Sequence, residues 1–212
     1  GNSSAIIEVA GKTILMDCGH SVYARLRELD LIDKIDYIFI THLHADHIGS
    51  LPTTLIHRKL FSRPVTLVYA EERFNEQLQK FLKLTLISPE HYSRFINIKE
   101  IPFADFIDTK DKHVKGMQTY AFTFKEKGET IIYSGDFNSP KFLSEKLKEK
   151  GITKGKLFHD ITFNKQNKGH SFYKEIEEIY KGFEVFGYHY NPYEKAKDCN
   201  VKLVGEMEDL LF

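Results

Sequence analysis

Cysteine is nearly absent from the sequence, with only Cys18 and Cys199 among 212 residues. Two distant thiols do not make the stapled framework of a small secreted domain, and they suit a reducing, cytoplasmic setting. No apolar run approaches the length that spans a bilayer, and no signal peptide is visible, so no membrane partner is expected. An excess of charge of one sign is missing too. Thirty Lys and Arg balance thirty Asp and Glu. No global positive field therefore draws the chain to nucleic acid, and any polyanion has to be held by a local patch. There is no internal repeat long enough for a solenoid. An initiating methionine is also missing: the chain opens Gly1-Asn2-Ser3-Ser4 and enters a strand pattern at once. Whether the natural start, with a further N-terminal strand, lies upstream is left open.

What is present is enough chain, with an ordinary apolar and charged content, for one buried domain over residues 1–212. The densest chemistry lies in His42-Leu43-His44-Ala45-Asp46-His47, directly after the strand-like run Ile35-Asp36-Tyr37-Ile38-Phe39-Ile40-Thr41. Imidazoles and a carboxylate crowded this closely are a metal-ligand set, because neutral imidazole and carboxylate oxygen both bind zinc-like ions and a strand can aim them. The plainer reading is a solvated histidine-rich turn.

Along the chain, β-rich runs at 5–9 and 13–17 flank Ala10-Gly11-Lys12 and read as a hairpin. Val22, Leu26 and Leu29 have helical spacing within 21–31, and strand character returns at 35–40. A helix beginning near Pro52 is expected within 48–61, a strand at 64–69, and a helix at 71–84 with Phe74, Leu78, Phe81 and Leu82 as its apolar stripe. The stretch 86–111 holds short mixed runs that suggest edge strands and turns. Strands are expected at 118–124, 130–133, 156–158, 184–188 and 201–204, and helices at 142–150 and 171–180. The sum is a mixed α/β domain. Asp17, the histidine loop, Asp136, His159 and His189 all read as polar residues just beyond a strand, and strand ends on one sheet edge converge.

The motif His42-x-His44-x-Asp46-His47 resembles the signature of the metallo-β-lactamase superfamily, with Ser134-Gly135-Asp136 and His189 following in the order that superfamily expects. Asn2-x-Ser4-Ala5 and Asp17-Cys18-Gly19 resemble the start of its tRNase Z branch, although His20 stands where that branch usually has glutamate. The resemblance implies a metallo-β-lactamase-like αββα sandwich. It implies that His42, His44 and His113 hold one metal, that Asp46, His47 and His189 hold another, and that Asp136 bridges them. Asp17 is then a residue that fixes the loop, and His57 and His91, which match no motif, are expected at the surface. His159-Asp160-Ile161-Thr162-Phe163 and Gly169-His170-Ser171 are similar to the paired motifs by which that branch delivers a proton to the leaving group, with Asp160 in place of the usual glutamate. A carboxylate beside His170 suits it to act as a general acid.

The long arm that grips tRNA in that branch lies between the later metal histidine and the bridging aspartate. Here the path from His113 to Asp136 has room for little beyond a hairpin. The expected protein is therefore a dinuclear, cytoplasmic phosphodiesterase, with zinc as its metal and manganese or iron as alternatives. Its expected substrate is a cyclic nucleotide or another small phosphodiester, and by resemblance it is a homodimer. An RNA-end processing nuclease, a lactone, thioester or lactam hydrolase, and a non-catalytic metal-binding or sensing domain are the alternatives.

Overall fold

A computed structural model describes residues 3–194 and 196–206. The chain forms two compact units that divide between Phe103 and Ala104. Asn2, one of the residues behind the tRNase Z resemblance, lies outside the described residues.

The first unit is built on a five-stranded sheet. It opens with an antiparallel hairpin of β1 (Ala5–Val9) and β2 (Lys12–Met16). Val9 pairs with Lys12, so the loop is Ala10-Gly11 alone, with φ of 51° and 68°. Two positive φ angles make the tight turn whose twist matches the flanking strands, which draws Lys12 into the ladder and shortens the expected connection. There follow α1 (Val22–Glu28), β3 (Tyr37–Phe39), α2 (Ala45–Ile48), α3 (Leu51–Phe61), β4 (Val65–Tyr69), α4 (Glu72–Leu84), α5 (Pro89–Tyr92) and β5 (Ser93–Asn97). Strands β2, β3, β4 and β5 run parallel in that order. Parallel strands need covered faces. Here α3 and α4 pack against β4, and Phe74, Leu78 and Leu82 of α4 are fully buried at the spacing of one helical stripe. Arg58 of α3 is buried as well, a burial that requires partners. It donates to the carbonyls of Ile32, Ile35 and Arg63 at 2.7 to 3.1 Å.

The second unit has a six-stranded sheet, β11-β10-β9-β8-β7-β6. Its elements in chain order are β6 (Ala104–Asp108), β7 (Tyr120–Glu126), β8 (Glu129–Tyr133), α6 (Pro140–Glu149), β9 (Lys156–Asp160), α7 (Tyr173–Ile179), β10 (Glu184–Tyr188) and β11 (Lys202–Leu203). Strands β6, β7 and β8 are antiparallel neighbours, whereas β8, β9, β10 and β11 run parallel. Leu143 and Leu147 of α6, Ile176 of α7 and Tyr180 join Ile132, Leu157 and Ile107 in one apolar core. Only Lys127-Gly128 separates β7 from β8, both with positive φ, so the hairpin is as short as the spacing suggests.

Several expectations shift on inspection. The mixed stretch after α4 does supply edge strands, one to each sheet: β5 and β6. The histidine loop is partly helical, because Ala45–Ile48 closes a turn of helix. His159 lies within β9, fully buried, and not beyond its end. His57 is also buried rather than superficial: Arg27 donates to its Nδ1 at 3.3 Å and its ring packs on Phe61. Together with Asp30, Ile32 and Asp33, these three residues line a cavity of about 550 Å³. Among the described residues no helix is long and apolar enough to cross a membrane.

Leu157 is wholly enclosed in the central strand β9 of the second sheet. Leu157→Ala should lower the stability of the protein by about 2 to 5 kcal/mol in a urea titration. A change below about 1 kcal/mol would show that this core is not packed as described.

Candidate functional site

In each unit the parallel strands leave their polar residues at the carboxyl ends, where α/β sheets place ligands. Asp17 follows β2 and His42 follows β3 in the first unit, while Asp136 follows β8, Asp160 ends β9 and His189 follows β10 in the second.

The first group is organised by Asp17, a fully buried carboxylate at φ 57°. The left-handed region is one that Asp tolerates better than most residues, and the conformation turns its carboxylate back onto the next strand. Its Oδ1 accepts the Thr41 N–H at 2.7 Å, and its Oδ2 accepts the Thr41 hydroxyl at 2.9 Å and the His47 Nδ1–H at 2.8 Å. Having given its proton to Asp17, the Thr41 oxygen is left to accept the Nδ1–H of His42 at 3.0 Å. One carboxylate thus fixes the tautomers of His42 and His47, placing the lone pair of each ring on Nε2. The two rings lie 4.0 Å apart between centroids, and His42 and His44 lie 4.8 Å apart. Asp46 and His47 sit within α2, whose N-cap is His44, and an Asp46 oxygen lies 3.7 Å from His47 Nε2.

The turn is pinned from behind. The Cys18 N–H donates to the His47 carbonyl at 2.6 Å, and the Ser50 N–H donates to the Cys18 carbonyl at 3.0 Å. Burial pushes the Cys18 thiol up to about 11, against weaker opposition from its hydrogen bonds to Ser50 and Thr54. It is therefore a neutral packing group at physiological pH.

The second group is wholly within the second unit. Gly135, at φ 64°, turns the chain after β8 and presents Asp136, which is almost fully buried. The Tyr188 hydroxyl donates to the Gly135 carbonyl at 2.9 Å, and the Tyr188 ring stacks on Tyr133. Burial holds the Tyr188 phenol well above its ordinary pKa, so it stays a neutral donor. His189, at φ 61°, has its Nδ1 3.5 Å from Asp136 Oδ1. His113 donates Nδ1–H to the Gly169 carbonyl at 2.7 Å, and its Nε2 lies 3.7 Å from Asp136 Oδ2. His170 donates Nδ1–H to Asp160 Oδ2 at 2.6 Å, and its ring centroid is 5.3 Å from that of His113 and 5.0 Å from that of His189. Asp136, Asp160, His170 and His189 each offer a ligand-type atom within 4.8 Å of the others.

A metal-binding imidazole keeps a lone pair on one nitrogen and gives the proton on the other to a carboxylate, carbonyl or hydroxyl. His42, His47 and His113 meet that requirement through Thr41, Asp17 and Gly169. The donor set of imidazole nitrogens and carboxylate oxygens therefore fits a divalent ion. Thr41, Tyr188 and Asn138, which buttress these groups, carry no signal in the sequence beyond standing next to or near a ligand-type residue.

Comparisons with known proteins place the chain beside a family and a fold. The family model described as Anti-Pycsar protein Apyc1 matches residues 1–208. The Anti-Pycsar protein Apyc1 of Bacillus phage 010DV004 is 28% identical over 185 residues, covering 76% of this chain and 71% of the phage protein. A ribonuclease Z of Nanoarchaeum equitans is 30% identical over 134 residues, covering 61% of this chain and 42% of its own length. The crystal structure of the metallo-β-lactamase fold protein YhfI from Bacillus subtilis superposes with a TM-score of 0.72 at 18% identity, covering 90% of this chain and 79% of that one. The fold is thus the metallo-β-lactamase fold, as the histidine motif and the strand-end residues led us to expect.

Asp17 touches His47 directly and His42 through Thr41, so its loss should loosen both rings while leaving each candidate donor in place. Asp17→Asn should weaken divalent-metal binding by roughly 10- to 100-fold in a chelator competition. An unchanged affinity in folded protein would remove Asp17 from this role.

Proposed function

The chain belongs to the Anti-Pycsar protein Apyc1 family, and we propose that it is a metal-dependent phosphodiesterase that opens a cyclic nucleotide. The observation that carries this reading is the His170–Asp160 pair, 2.6 Å apart and clustered with Asp136 and His189 at the strand ends of the second unit. A hydrolase that expels a poor alkoxide needs a placed proton donor, whereas a sensing domain has no use for one.

In this reading His42, His44 and His113 would hold one ion, Asp46, His47 and His189 would hold a second, and Asp136 would serve both. Zinc is the favoured metal. When bound, such ions supply Lewis-acid activation of water at neutral pH and neutralise charge on the phosphoryl oxygens. The side chains do the rest. Asp46 accepts a hydrogen bond from the attacking water and orients it. Water oxygen bonds to phosphorus and gives one proton to the Asp46 carboxylate as the ring P–O bond breaks, and the departing alkoxide takes the proton from His170 Nε2. Asp160 holds that ring through Nδ1 and stabilises its charged form. The product of a cyclic substrate is one linear phosphomonoester.

A small substrate is favoured by the β7–β8 hairpin, whose connection is only Lys127-Gly128 and which forms no long arm. Balanced charge over the chain points the same way.

Metal-replete protein should open a cyclic nucleotide, lose that activity to a chelator and regain it with zinc. Turnover of a thioester or an RNA end alone, with none of the cyclic nucleotide, would overturn the reading. His42→Ala and His44→Ala should each lower the metal bound per chain, and an unchanged content would count against the ligand assignment. His170→Ala should slow esters with poor leaving groups by roughly 100- to 10,000-fold while sparing activated aryl esters. Equal losses on both would remove His170 from the acid role.

A further inference from the structure

His113 and His170 of the second unit both stand outside its regular elements. His113 lies between β6 and β7, and His170 lies between β9 and α7. Irregular segments have freedom of their own, yet an acid misplaced by an ångström can lose about a hundredfold in rate. Something must hold them.

The residues directly after Asp136 make the contacts that do so. On one flank of His170, the buried Ser171 donates its hydroxyl to the Phe137 carbonyl at 2.7 Å. On the other flank, Asn138 Nδ2 donates to the Lys168 carbonyl at 2.6 Å. The same amide donates to the His113 carbonyl at 3.3 Å, and the Asn138 N–H donates to the Lys112 carbonyl at 2.7 Å. Ser139 donates to Asn138 Oδ1 at 2.9 Å, which fixes the amide with its donor side toward the two carbonyls. His113 closes the joint through its bond to the Gly169 carbonyl. Three segments, those of Asp136, His113 and His170, therefore meet at one side-chain amide.

We propose that Asn138 is a positioning residue that ties the proton donor His170 to the His113 and Asp136 segments, so that the acid keeps one distance from the reacting phosphorus. The proposal rests on the reading of His170 as the leaving-group acid. Asn138 itself touches no substrate. Its effect is on the expulsion step, which places its signature in the dependence of rate on the leaving group rather than in activity as a whole. Only a donor serves at this position, because any acceptor would face two carbonyl oxygens.

The test compares Asn138→Ala with the parent on a cyclic nucleotide, whose alkoxide leaves poorly, and on an activated aryl phosphodiester, which needs no proton. Both proteins carry metal, and metal per chain is measured. The expected result is a loss of about ten- to a hundredfold on the cyclic nucleotide with less than about threefold on the aryl ester. Equal losses on the two esters, or no loss on either, would overturn the proposal. If the alanine variant does not fold, the near-isosteric Asn138→Asp, which supplies no donor, makes the same comparison with the same two outcomes. His170→Ala measured alongside separates the levels. If His170→Ala itself shows no leaving-group selectivity, the acid reading has failed; if it is selective and the Asn138 variants are not, only this inference has failed.

Discussion

Asp17 is an ionisable group with no contact to solvent, and its burial is tolerable only because each carboxylate oxygen is occupied by donors. Those donors are the backbone and hydroxyl of Thr41 and the ring of His47, so satisfying the carboxylate and orienting the histidine turn are the same event. The geometry depends on β2 and β3 being parallel neighbours, which brings residue 17 beside residue 41 at one sheet edge. It also depends on the left-handed backbone at Asp17, which a β-branched residue would resist. The Cys18 and Ser50 backbone bonds extend the same clamp to the far side of α2.

The second unit solves a similar problem with neutral groups. Asp136 is backed by the Gly135 carbonyl bond to Tyr188, and its neighbouring segments are stitched by Asn138, Ser171 and the Gly169 carbonyl. Parallel strands β8, β9 and β10 put Asp136, Asp160 and His189 at one edge, so three residues far apart in sequence converge without any loop having to find them. Rigid strands set the coarse position, and short polar bonds between the connecting segments set the fine one.

Much of this was legible in the sequence where local chemistry decides the outcome. The β1–β2 hairpin, the α4 stripe, of which Phe74, Leu78 and Leu82 are buried and Phe81 is half-buried, and the polar residues after strand runs follow from turn preference, helical period and alternation. Other features depend on contacts between distant segments. Arg58 and His57 look like surface groups on a helix, and only the carbonyls of Ile32 and Ile35 or the ring of Phe61 make them interior. His159 belongs to β9 because Gly187 of β10 pairs with it, which extends the strand past the expected Phe158. Asn138 is an ordinary residue in sequence, since the carbonyls it joins lie 25 and 30 residues away.

The central claim is that water attacks phosphorus and a ring oxygen leaves with a proton. Turnover of a cyclic nucleotide by metal-replete protein in oxygen-18 water tests it most directly, with the label located by mass spectrometry. The account predicts one heavy oxygen per turnover, carried on the phosphate of the linear product. Label on the sugar instead, or no product from fully metal-loaded protein, would contradict it.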